Sequence, residues 1–278
     1  SKQAYAEAEA VLLEELGLAD FTPRNEAVTI KSFSESFGST GRLDAEYYQP
    51  KYEAILQHVH AVSSKKLIKL VSIQKSIEPG SDHYADEGIP FLRVADLNKT
   101  GLNDPQKQLS TTFCRENELT IQKLMPKKDT ILFSKDGTVG LAYKLREDKQ
   151  IITSGAILHL NVLDAEEVLA DYLTLVLNSQ IVQLQAERDT GGSIIEHWRV
   201  SEIENVIIPI IETMQQRRIA NLVERSFTLK AQSEALLGIA KRGVELAIES
   251  DEDTAQAWML AEASSLALVL EVKGNVGV

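Results

Sequence analysis

The chain has 278 residues, 44% hydrophobic and 25% charged, which is ordinary globular content: enough for one large core or a core with an appendage. Its single cysteine, Cys114, excludes an internal disulfide and a Cys-rich zinc site and fits a reducing, cytoplasmic setting, and no apolar run approaches the ~20 residues that a membrane helix needs. The formal net charge of -12 speaks against a uniformly cationic nucleic-acid binder, but residues 61–150 carry 15 Lys/Arg against 12 Asp/Glu while residues 151–211 carry 2 against 9. A locally basic face on an acidic body stays open beside the plainer reading of a solvated surface.

Along the chain, Ala4 to Leu16 sets Ala and Leu at helical spacing and stops at Gly17, so a helix is expected there. The stretch through Asp20, Pro23 and Ser32 to Gly41 has turn chemistry and reads as a linker, which makes residues 1–42 a helix plus linker. Arg42 to His60 turns helical again after an extended lead-in. From Leu67 onward short apolar runs are punctuated by Gly, Pro, Asp and Asn, with strands expected at Ile89 to Val94, Thr130 to Phe133, Val139 to Lys144 and Ala156 to Val162. Helices are expected from Asp164 to Asn178 and around Ser201 to Ile203. These elements do not alternate as a doubly wound fold requires, so residues 43–209 read as one mixed α+β domain.

After Pro209 no proline interrupts Glu212 to Glu249, a helix of about 57 Å at ~1.5 Å per residue. Leu222, Leu229 and Leu236 recur every seven residues with Gly243 in fourth place, and Ser226, Ser233, Ala240 and Ala247 fill the alternate positions. A leucine row beside a small-residue row invites a mate helix, either a partner or the chain's own domain. Residues 210–250 are therefore a helical arm, and residues 251–278, opening on Asp251, Glu252 and Asp253, read as an acidic, loosely ordered tail.

Several stretches in order resemble the specificity subunits of type I restriction-modification systems. They are RLDAEYYQPKYEAI at 42–55, IPFLRVADLNKTG at 89–101, DTILFSKDGTVGLAYKL at 129–145, TSGAILHLNV at 153–162, DYLTLVLNSQ at 171–180, GGSIIEHWRVSEIENVIIPI at 191–210 and MQQRRIANLVERS at 214–226. The resemblance implies a target-recognition domain reading half of a bipartite site on double-stranded DNA. It also implies a long helix that pairs antiparallel with its equivalent and docks methyltransferase subunits. Complete members carry two such units and this sequence shows one. Its first helix resembles the end of the helix that follows a first recognition domain, and AEAVLL loosely echoes SEALL at 233–237. Part of a longer subunit and a half-subunit that forms an antiparallel homodimer through residues 210–250 both stay open.

No methyl-donor loop, Asn/Asp-Pro-Pro-aromatic motif or nuclease triad is found, and Glu271, Val272, Lys273 lacks its acidic partner. Gly137 and Gly140 lack the Gly-Lys-Ser/Thr ending of a phosphate loop and read as a hairpin turn. His58 and His60 point to different faces of one helix, so neither a metal nor a cofactor is implied and the chain reads as non-catalytic. Base and phosphate recognition needs hydrogen-bonding side chains on loops that reach a groove. Three stretches offer them: Lys75, Ser81, His83 and Tyr84; Ser134, Lys135, Asp136 and Thr138; and Thr190 to Ser193 with His197 and Arg199. For Arg93, ahead of Asp96, a base contact and an internal ion pair stay open, whereas Trp198 reads as core. The alternatives are the detached recognition domain of a single-chain restriction-methyltransferase and a coiled-coil adaptor that binds only protein.

Overall fold

A computed structural model describes the backbone of residues 1–191 and 196–274. The chain forms two compact units, one of Glu7–Asn221 and one of Ser1–Ala6 with the chain from Leu222 onward.

The first element is α1 (Lys2–Glu15), whose Ala8, Val11 and Leu12 are buried at helical spacing. A short turn of helix, α2 (Phe37–Thr40), interrupts the linker, and α3 (Pro50–His60) opens on a proline in its first turn and buries Tyr52, Ile55 and Val59. Strands β1 (Ser64–Lys66), β2 (Val71–Lys75), β3 (Tyr84–Ala85), β4 (Gly88–Leu92), β5 (Leu97–Asn98), β6 (Gly101–Leu102) and β7 (Gln108–Ser110) follow. Ser110 caps α4 (Thr111–Glu116) by accepting the Phe113 N–H at 3.2 Å, and α5 (Glu118–Leu124) comes directly after. Next come β8 (Ile131–Ser134), β9 (Ala142–Lys144), β10 (Ile152–Thr153), β11 (Ile157–Val162), α6 (Ala170–Asn178), α7 (Gln180–Thr190), α8 (Val200–Ile203) and β12 (Ile207–Pro209).

One sheet has the order β2-β11-β8-β9, antiparallel throughout; a second has the order β10-β4-β7-β3, with β10 parallel to β4. Strands β1 and β12 pair where the domain closes on itself, Ser64 opposite Pro209. The four strands expected from apolar runs are all present, three within a residue or two of their expected bounds, while the one expected from Val139 starts at Ala142 because the hairpin turn extends to Leu141. Strand β2 was not anticipated, because Val71 and Ile73 alternate with only three polar residues, too short a period-two signal. Leu132 and Ile157 from the first sheet meet Leu92 of the second and Ile151 just ahead of β10, so one apolar layer joins them. Helix α6 lies against β9 and α7, burying Tyr172, Leu173, Leu175, Val176 and Leu177, each stabilising by about 1.5–3 kcal/mol. The long helix expected to end at Asn178 stops there because Ser179 caps a separate α7 by accepting the Ile181 N–H.

The arm is α9 (Thr213–Glu249), about 55 Å long at ~1.5 Å per residue. Gln216 ties its start to the domain, accepting from the Leu169 N–H and donating to the Glu167 carbonyl at 3.0 and 3.1 Å. Gln215 donates to Glu15 at 2.7 Å, and Ser226 donates to the Ser1 carbonyl at 3.0 Å, so α1 runs antiparallel to the start of α9.

One expectation is corrected. Residues Glu252–Gly274 form a helix, α10, in place of a loose tail: Asp251 caps it through the Thr254 N–H at 2.8 Å, acidic residues suit its first turn, and Ala and Leu dominate the rest. The remaining tail residues, 275–278, lie outside the described residues. Along the seven-residue rows of α9, Ser226 is buried, Leu222 and Leu229 are half-buried, and Ser233, Leu236 and Ala240 are exposed. Gly243, the fourth member of the leucine row, instead lets α10 approach, since a Cβ there would stand 2.1 Å from Met259 Sδ. Among the described residues, no helix is long and apolar enough to cross a membrane.

Candidate nucleic-acid interface

The hairpin between β8 and β9 carries Lys135 to Leu141, with Gly137 and Gly140 at φ +73 and +78, left-handed values that glycine adopts without strain. This is the expected turn. The segment from Glu196 to Trp198 docks on it like an added strand: Gly137 N–H donates to Glu196 O at 3.0 Å, Trp198 N–H donates to Lys135 O at 2.8 Å, and Asp136 bridges His197. Lys135 N–H donates in turn to Ala156 O at 2.8 Å, which anchors the hairpin on the sheet.

Trp198 is fully buried beside Phe133, ring centroids 5.8 Å apart, with its indole N–H on Asp189 at 3.2 Å. With this large anchor in the core, the flanking His197 and Arg199 project outward and are exposed. A cleft of about 700 Å³ opens beside them, lined by Ile68, Ile73 and Lys75 from the β2 side, by Lys135, and by His197 to Ser201 with Glu204.

Three chain segments thus bring Lys75, Lys135, His197 and Arg199 to one concavity. Carboxylates hold three of these side chains in place. Asp136 takes Lys135 on one oxygen and His197 on the other, and Glu202 takes Arg199 while also accepting the Arg199 N–H at 3.1 Å. The Glu202 carboxylate raises the Arg199 guanidinium pKa above its ordinary value. Cations that an internal carboxylate pre-orients, on a wall fixed by backbone hydrogen bonds, suit an anionic backbone laid across the cleft.

The other candidates lie elsewhere. Ser134 is a correction: it is fully buried, donating to the Thr138 carbonyl at 2.5 Å and accepting from Leu141 N–H at 2.9 Å, so it shapes the hairpin and reaches no ligand. Thr138 is exposed at the hairpin tip, outside the cleft lining. Tyr84 packs on Phe91 at 5.5 Å in the second sheet with Ser81 exposed beside it, and neither lines the cleft. Arg93 lies beside Asp96, its backbone N–H donating to that carboxylate at 2.9 Å and its guanidinium Nε 4.0 Å away, and it does not line the cleft. Thr190 is buried and donates to Ala186 O. Ser193, with Gly192, lies outside the described residues. Sequence reasoning missed Glu202 and Asp189, whose only signal was an acidic residue placed near an Arg or Trp.

The family model for the type I restriction modification DNA specificity domain matches residues 62–236, which takes in both sheets, the cleft and the first turns of α9. The chain belongs to this family. The specificity domain is a DNA-recognition component and not a catalytic one. Solved structures similar to the chain include the S subunit of a type I restriction-modification system from M. genitalium, with 20% identity over 67% of this chain and 44% of that one and a TM-score of 0.45. HsdS from Thermoanaerobacter tengcongensis shares 15% identity over 96% of this chain and 51% of that one, TM-score 0.42. A structure concerned with complex assembly and conformational transition of the type I R-M system shares 16% identity over 96% and 53%, TM-score 0.44. The chain spans about half the length of these proteins. A search of curated proteins gave no match.

Proposed function

We propose that the chain reads one half of a bipartite site on double-stranded DNA, with Lys75, Lys135, His197 and Arg199 gripping the duplex at the cleft. The observation that carries this is the convergence of those four side chains, from distant parts of the sequence, on one concavity of a domain whose family is defined by DNA specificity. Phosphate contacts set the register, and loops at the cleft rim read base edges. The site works in the cytoplasm as part of a restriction-modification complex.

Helix α9 docks methyltransferase subunits. Supporting this, Leu236, Leu237, Val244 and Ile248 are 49–82% exposed along it, an apolar stripe that water solvates poorly. Antiparallel pairing of two copies is the second use of the same stripe, favoured by the antiparallel run of α1 beside the start of α9.

Methylome sequencing tests the assignment: cells carry the gene with its neighbours, first intact and then with residues 61–200 exchanged for those of a relative. A bipartite motif appears and one half changes on exchange. Identical change of both halves indicates a homodimer, and an unchanged motif removes the recognition role.

A further inference from the structure

The stretch RLDAEYYQP at 42–50 lies outside the cleft lining, yet it grips the cleft wall from behind. Arg42 forks onto Asp44, with Nε 2.9 Å from one carboxylate oxygen and Nη2 2.6 Å from the other. Its free edge faces the end of α7, where Nη1 donates to Asp189 O at 3.2 Å and Nη2 to Gly191 O at 3.5 Å. Carbonyls at a helix C-terminus lack intrahelical donors and carry the negative end of the helix dipole, so a guanidinium is a fitting cap. The Tyr47 ring supports it, with Arg42 at 4.4 Å and Arg188 at 5.4 Å from its centroid. The Asp189 carboxylate then takes Arg188 Nε at 3.0 Å and the Trp198 indole N–H at 3.2 Å. Contact therefore runs unbroken from Tyr47 through Arg42 and Asp189 to Trp198, whose neighbours His197 and Arg199 face the cleft.

We propose that Arg42, seated on Tyr47 and held by Asp44, is a positioning residue for the DNA-facing wall, fixing the end of α7 and, through Asp189, the indole that aims His197 and Arg199. The clamp rests on the cleft being the DNA site, but its geometry can be tested without DNA. Arg42 touches no phosphate; its effect on binding is carried by the wall. Arg42→Lys keeps the charge yet loses the planar fork needed to hold Asp44 and two carbonyls together.

The test uses the full chain in a Trp258→Phe background, which leaves Trp198 as its one indole. In Arg42→Ala and Arg42→Lys, Trp198 emission shifts to the red and acrylamide quenching rises, while DNA affinity falls about tenfold. The log-log salt dependence of binding keeps its wild-type slope, because no phosphate contact is lost. Asp44→Asn, which frees Arg42 without deleting it, gives the same pattern more weakly and serves if the Arg42 variants fold poorly. An unchanged Trp198 signal overturns the clamp. A slope reduced by about 0.9 also overturns it, making Arg42 itself a phosphate contact. If the wild type binds no DNA, the DNA role of the cleft fails and the DNA half of this proposal falls with it, whereas the fluorescence result still decides the clamp.

Discussion

Replacing Lys135 and Arg199 together by Ala isolates the electrostatic part of recognition. The cleft presents two lysines and an arginine, Lys75, Lys135 and Arg199, each contributing about 0.9 to the slope of log affinity against log salt if it meets one phosphate. The double variant therefore loses about 1.8 of slope. Between ~50 and ~200 mM salt, about 0.6 log units, wild-type affinity drops about tenfold further than that of the variant. The variant also binds more weakly at every salt concentration, because Glu202 loses the Arg199 guanidinium and Asp136 keeps only His197, which leaves carboxylate charge facing the DNA. Folding changes little. The Arg199 side chain is 67% exposed, so its pair with Glu202 is worth about 0–1 kcal/mol, and the mostly covered stem of Lys135 adds about 1 kcal/mol of packing. Fluorescence anisotropy with a labelled duplex over a salt series measures the slope, circular dichroism checks the fold, and Lys149→Ala, outside the cleft lining, is the control. A slope equal to wild type refutes the cleft as the phosphate-binding surface.

Two further outcomes follow from buried and exposed groups. His159 is buried with one ring nitrogen 2.8 Å from the Thr153 hydroxyl, and burial pushes its pKa from 6.5 down to about 4. The unfolded chain then binds the extra proton first, so stability is intact above pH ~6.5, declines as pH falls towards 4, and is down about 2 kcal/mol at pH 5; urea unfolding of wild type and His159→Gln checks this, with the variant lacking the decline. In α9, Leu229→Asp with Leu236→Asp destabilises the free chain only slightly, since Leu236 is 49% exposed and Leu229 half-buried, but abolishes capture of methyltransferase subunits or of a second copy in sedimentation. Undiminished assembly refutes this face as the docking seam.

Local chemistry alone determined the parts of this protein that depend on near neighbours. Alternating apolar runs placed four strands, the absence of proline after Pro209 placed α9, and Gly137 with Gly140 placed the hairpin that carries Lys135, because backbone sterics and side-chain period act within a few residues. The size and indole of Trp198 were enough to mark it as core. The tertiary structure decided the rest. Ser134 and Lys135 are adjacent and both carry hydrogen-bonding groups, and the packing of β8 turns one into the sheet and the other into the cleft. Nothing local marks Lys75 as a residue that lines the cleft, since that depends on His197 to Ser201, which the fold brings close. The surroundings of the leucine and small-residue rows were likewise set by the fold. Ser226 is buried where it donates to the Ser1 carbonyl, Ser233, Leu236 and Ala240 further along are exposed, and Gly243 meets α10 of the same chain, a neighbour that no local pattern in α9 could announce.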